Sequence, residues 1–185
     1  MLSPQAAYAA LVDEGAHVSL VGALRRPALA ALVMGVSIAV AATGRVTPAL
    51  VLATTITWSY IVLLQLAIAL PVLAPRARRT VGVARAVDLF FAGHAPWSLV
   101  ALAAAAWSPS PIGPPAWPLL MLIVGAMVLT PRIVCAFFLE VLRYDVPSAR
   151  RMTIIHQATT WTVFVAIFWS VNVLTPRVLA LLGRS

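Results

Sequence analysis

The chain is expected to fold as an all-α integral membrane bundle of five transmembrane helices. Three observations carry that expectation. Of 185 residues, 62% are hydrophobic and only 10% are charged, and the mean hydropathy is +0.99. Ordinary soluble domains are about half apolar and about a quarter charged, so this chain lacks the polar side chains to coat a surface facing water. Its apolar residues gather into runs of the length that crosses about 30 Å of hydrocarbon. Its cations are arginines without a single lysine, and they collect in the short segments between those runs, as the positive-inside rule describes.

Residues 1–26 form a mixed N-terminal segment. Tyr8, Leu11 and Val12 precede Asp13 and Glu14, and Val18, Leu20, Val21 and Leu24 precede Arg25 and Arg26. The pattern suits either an amphipathic helix at the membrane interface or a solvated tail holding a short helix. Met1 to Ala16 has no basic region ahead of an apolar stretch, so the first span is expected to direct insertion itself. Residues 27–183 are then expected to form a single five-helix domain, with spans at about 27–43, 48–73, 86–107, 117–139 and 158–182. Gly44 to Pro48 is a turn signal between the first two, and Pro71 and Pro75 are expected to mark the end of the second. Residues 108–115 are proline-dense and uncharged, while 140–157 form a polar connection before the fifth span.

Arginine placement sets the expected orientation. An N-in arrangement places Arg25, Arg26, Arg76, Arg78, Arg79, Arg85, Arg143, Arg150 and Arg151 in the cytosol, against Arg45, Arg177 and Arg184 outside. Nine against three favours N-in and C-out. A net charge of +8 in a soluble chain would raise nucleic acid as a partner, but here the arginines serve topology and nucleic acid is not expected. The expected partners are the bilayer, anionic lipids and other membrane proteins. An arginine-only, Ala/Val/Leu/Pro-rich composition suits a GC-rich bacterial genome and hence a bacterial inner membrane. Cys135, the single cysteine, excludes an intrachain disulfide and a cysteine-based metal cage.

Ionisable groups inside spans are the default functional candidates, because each costs roughly 2.5–3.5 kcal/mol at a helix centre. Arg132 in the fourth span is a candidate partner for Asp88 near the start of the third, or for Glu140 at the end of its own span, with His94 nearby. The bland alternative has Arg132 snorkelling to the headgroups. His94 lies about 9 Å beyond Asp88 and His156 precedes the fifth span, so the two histidines are expected at different depths. That disfavours His94 and His156 as paired axial ligands of haem or pigment, and no cofactor is expected. Arg76, Arg78, Arg79, Arg85, Arg150 and Arg151 are candidate contacts to anionic lipid or a protein partner. Ala31, Gly35 and Ala39 form a small-residue ridge on the first span. Thr54, Trp58 and Gln65 share one face of the second, and both sets are candidate helix-packing surfaces. No HExxH, GxSxG or phosphate-cradling glycine loop occurs, so an enzyme is not expected.

The topology and span spacing from Leu24 to Leu182 resemble the Yip family of five-pass membrane proteins. In the third span, Phe91-Ala92-Gly93-His94-Ala95-Pro96 is similar to the Gly-Tyr-x-x-x-Pro neighbourhood of that family, with His94 in place of the tyrosine and only Ala95 between it and Pro96. The Asp-Leu-Tyr-Gly-Pro motif of eukaryotic members is absent, and their vesicle-traffic role is not carried over. The resemblance implies a cytosolic N-terminus, an outside C-terminus and a non-catalytic scaffold or adaptor. The alternatives are an accessory subunit of a respiratory, photosynthetic or transport complex, and a small transporter or channel.

Overall fold

A computed structural model describes residues 3–14, 18–107, 117–170, 173 and 177. The described residues are overwhelmingly helical, with no strand among them. In order the helices are α1 (Pro4–Asp13), α2 (Leu20–Ala23), α3 (Arg25–Thr43), α4 (Pro48–Ala77), α5 (Val83–Ala92), α6 (Ala95–Ala106), α7 (Trp117–Glu140) and α8 (Val146–Trp169). Four helical segments are long and apolar enough to cross a membrane: Leu20–Thr43, Pro48–Ala77, Trp117–Glu140 and Val146–Trp169. The α5–α6 pair passes the same test if taken as one bent span, which makes up to five.

Several boundaries differ from the sequence expectation, each for a local reason. The first span gains length because α2 leads almost directly into α3, so the helical segment starts at Leu20. Helix α4 runs through Pro71 and Pro75 to Ala77 rather than ending near Leu73. Both prolines are exposed while Ala69, Leu73 and Ala77 are buried, so packing holds the helix past the bonds the prolines delete. The third segment is broken: α5 ends at Ala92, α6 starts at Ala95, and their axes differ by 43°. Pro96 has no N–H for the Ala92 carbonyl, and the chain closes α5 with tight turns from Gly93 N to Phe90 O (3.1 Å) and His94 N to Phe91 O (3.2 Å).

Helix α8 starts twelve residues before the expected 158, which turns most of the anticipated polar connection into helix. Asp145 is the reason. Its carboxylate accepts from Ser148 N–H (3.4 Å) at the N-cap, and Pro147 occupies the first turn. The expected end of that span near 182 lies outside the described residues. At the N-terminus, Ser3 caps α1 through Ala6 N–H (3.2 Å), and α1 packs along α7 with Tyr8 buried.

Packing is unequal along the bundle. The start of α3, the end of α4, the start of α5, the end of α7 and the start of α8 converge at one end. Phe137, Phe138, Leu73, Leu89, Leu142 and Val141 form a fully buried core there. Helix α3 lies along α4 at very short range. A Cβ at Gly35 would overlap Thr55 Oγ1 and stand 2.7 Å from the Thr55 backbone, so only glycine permits this approach. Thr54 then donates its hydroxyl across the interface to Gly35 O at 2.8 Å. Toward the other end the large buried side chains give way to small ones, Ser37, Ala39, Ala105 and Ala126. In α8 the buried residues are Ala149, Thr153 and His156, all in its first half.

Ser148, through its hydroxyl first and its backbone N–H second, holds the Asp145 carboxyl below its ordinary 3.8. A depressed folded-state pKa contributes stability above the unfolded value and loses it as pH falls through the folded one. The thermal midpoint of the detergent-solubilised chain is therefore expected to drop as pH falls below about 4. Asp145→Asn retains a capping side chain and should flatten the Asp145 share of that decline; an unchanged pH profile in the variant rejects the assignment.

Candidate functional site

The basic end is organised around Asp88. Its carboxylate meets Arg26 Nε at 3.2 Å and Arg85 NH1 at 3.2 Å, and the Asp88 side chain is 10% exposed. Arg26 also donates to Asp88 O (3.4 Å), and Arg85 NH2 donates to Leu11 O (2.6 Å). One acidic side chain thus ties α1, α3 and α5 together through two arginines. The expected Asp88–Arg132 pair does not form. Arg132 is exposed on α7, where it lines a shallow groove with Pro4 and Gln5 of α1, and it has no ion pair among the described residues. Asp88 faces inward toward α3, where Arg26 and the neighbouring Arg85 reach it and Arg132 does not.

The arginine candidates divide in two. Arg76 donates from Nε to Leu142 O (3.1 Å) and from NH2 to Arg143 O (2.9 Å), and its guanidinium lies 5.1 Å from the Tyr144 ring centre. It binds carbonyls of the turn that follows α7, where the negative end of the helix favours a cation. Arg85 is likewise committed to Asp88. Arg78, Arg79, Arg150 and Arg151 are exposed and free to meet headgroups. Among the packing candidates, Ala31, Gly35 and Ala39 are buried on α3, and Thr54 bonds Gly35. Trp58 tilts against Tyr60, and Gln65 instead faces a cavity.

That cavity, about 520 Å³, lies among α4, α6, α7 and α8 beyond the buried core. Tyr8, Phe90 and Val134 border it on the core side, and Met127, Trp161 and Phe164 border it while remaining exposed. Its lining contains no Asp, Glu or Arg, yet it gathers Gln65, His94, His156, Gln157 and Thr160. His94 and His156 both contact Phe90 edge-on, each with ring centres 5.3 Å away. The expected difference in depth is therefore a correction: α8 starts at Val146, so His156 stands about 15 Å into its helix and His94 about 16 Å beyond the start of α5. The Asp-Val-Pro-Ser sequence at 145–148 was the available signal for that start.

Each polar group has a definable state. His94 Nδ1 lies 3.3 Å from Phe90 O, and because a carbonyl only accepts, Nδ1 carries the proton. In the neutral ring this leaves Nε2 as an acceptor. Trp97 donates to Thr130 Oγ1 (2.8 Å), which donates to Ala126 O (2.6 Å), so that pair is satisfied. Thr160 Oγ1 is buried without a hydrogen-bond partner, and the side chains of Gln65, Gln157 and His156 have none among the described residues. Burial pushes the Tyr8 phenol above its ordinary 10.0, opposed by Arg26, so it stays protonated. No cluster of three metal-ligating side chains occurs among the described residues.

The helix break shapes the core-side wall. A Cβ on Gly93 would stand 2.7 Å from Tyr8 Oη and 2.8 Å from Ile133 Cγ2. Gly93→Val should therefore expel Tyr8 and free α1, read as faster proteolysis near residue 14 with α3–α8 still folded; intact protection of that site would contradict the packing role. Asp88→Asn leaves two guanidinium groups without their carboxylate and should cost about 2–3 kcal/mol, somewhat below a fully buried pair because Arg26 is 36% exposed. Chemical denaturation of the reconstituted chain measures it. No protein-family model, curated protein or solved structure matches this chain.

Proposed function

We propose that the chain is a non-catalytic, five-pass scaffold of a bacterial inner membrane, with its N-terminus in the cytosol, whose bundle holds an apolar guest. The observation that carries this reading is the 520 Å³ cavity, a size within the ~300–1,000 Å³ of ligand sites. Its lining is apolar with a few polar groups and no charge, which suits a guest drawn from the bilayer rather than from water. The exposed lining residues Met127, Trp161 and Phe164 mark a mouth between α7 and α8 that opens sideways to lipid. Phe90 and Phe137 close the way toward the basic end, so the site is read as a chamber and not as a channel.

The converging arginines support the orientation. Arg25, Arg78, Arg79, Arg150 and Arg151 are exposed at the end where the Asp88 and Arg76 contacts join five helix termini. Facing an anionic leaflet, each contributes about 1 kcal/mol of attraction. The Yip-like resemblance points to the same N-in topology and to a scaffold role.

Two measurements test the reading. Reporter fusions should place residues 78–82 in the cytosol and 44–47 outside; the same compartment for both rejects five alternating spans. Native mass spectrometry from mild detergent should show the chain carrying a bilayer-derived adduct. Ala101→Trp, which fills the chamber, should abolish it. A wild-type chain without adduct, or a variant that keeps it, rejects the chamber.

A further inference from the structure

We infer that the chamber is built for an uncharged ring lipid of the quinone/quinol class, an inference that rests on the chamber reading above. Charge decides first. With no Asp, Glu or Arg in the lining, an ionised head entering the chamber would lose its hydration with no counter-charge to replace it. Phospholipid heads and fatty carboxylates are therefore disfavoured. Haem is disfavoured on the same ground, since its two carboxylates would meet no cation although His94 and His156 share the cavity.

The positions of the polar groups decide next. Gln65 approaches from α4, His94 from the α5–α6 break, and Gln157 and Thr160 from adjacent turns of α8. A long-chain alcohol or a diglyceride carries its hydrogen-bonding atoms at one end and would satisfy one of these sides. A quinone or quinol carries an oxygen on each of two opposite ring edges, which matches groups presented from different helices. The amide N–H groups of Gln65 and Gln157 and the Thr160 hydroxyl can donate to quinone oxygens, and His94 Nε2 can accept from a quinol hydroxyl. Phe90, Trp97 and Trp161 supply aromatic walls for the ring, with Trp97 held edge-on to Trp161 at 5.9 Å. The mouth beside Met127 and Phe164 gives an isoprenoid tail its exit into lipid.

The test uses the full chain in phosphatidylcholine nanodiscs, titrated with decyl-substituted benzoquinone and followed by tryptophan emission, because Trp97 and Trp161 border the chamber. Saturable quenching is expected, and the corresponding quinol should displace the quinone with about tenfold higher affinity, the equivalent of one hydrogen bond to His94 at ~1.4 kcal/mol. His94→Leu should erase that preference, His94→Gln should restore most of it, and Gln65→Leu should weaken both forms about tenfold. Leu99→Ala, on an exposed face of α6 away from the lining, should change nothing. Should a leucine variant fail to fold, competition decides: decylbenzene has the same tail, the benzene ring of the quinol and no oxygen. If it displaces the quinone with equal potency, the chamber stands and the quinone assignment falls. If neither molecule binds saturably, while the native adduct persists, the assignment falls alone; loss of the adduct as well removes both.

Discussion

Pro96 lacks an N–H and its ring excludes the carbonyl one turn back, so the third apolar segment bends between Ala92 and Ala95. The bend has consequences at both ends of the bundle. On the core side, the missing side chain of Gly93 leaves room for Tyr8, which brings α1 into the bundle against Phe137 with ring centres 5.7 Å apart. On the far side, α6 leans across α3 and toward α7, where Trp97 reaches Thr130. A straight helix would not place α5 in the core and α6 along a cavity wall at once. His94 sits at the corner, its Nδ1 fixed by the last turn of α5 and its other nitrogen free.

The charged groups sit where their cost is smallest. Asp88 and Arg85 are nearly buried, but they lie in the first turns of α5, and Arg26 remains partly in contact with solvent. Two cations on one carboxylate, with a further bond from Arg85 to the Leu11 carbonyl, leave few unmet donors in a weakly polar setting. Arg76 has the same logic with carbonyls in place of a carboxylate. These contacts pin helix termini together at one end, and the aromatic core fills the space just behind them. Among the described residues no ion pair or arginine–carbonyl contact of this kind joins α6, α7 and α8 at the opposite end.

The sequence was most readable where one residue type acts alone. The small ridge of Ala31, Gly35 and Ala39 is a spacing rule, and the helix that carries it lies where close contact needs it. Apolar run length likewise located the bodies of α3, α4 and α7. It failed where a polar local signal overrode hydropathy. Asp145 starts α8 inside a segment whose polarity argued for a loop, and that displacement alone hid the shared depth of His94 and His156. Asp88 illustrates a second limit: charge arithmetic counts candidates, but the choice among Arg26, Arg85 and Arg132 depends on which helix face turns inward. Arg85, three residues before Asp88 on the same helix, was readable from helical spacing, whereas Arg26, 62 residues away in the chain, is joined to Asp88 only by packing, which no single-helix pattern encodes.

Polar side chains that point into an apolar chamber need a physical account of their own. Gln65, Gln157 and Thr160 could each have been an alanine or leucine without disturbing the Asp88 contacts, the α3–α4 interface or the aromatic core, because none of those structures uses them. In hydrocarbon an unpaired amide or hydroxyl is destabilising by about 1–3 kcal/mol, so three of them gathered around one cavity weaken the fold rather than hold it. Thr130 shows the alternative that was open to them, since it both accepts from Trp97 and donates to Ala126. The contrast separates polar groups that pack helices from polar groups held ready for something else. A guest with hydrogen-bonding atoms on more than one edge converts that unfavourable set into a favourable one, and the resulting dependence of fold stability on the guest links what the chamber binds to how firmly the bundle closes.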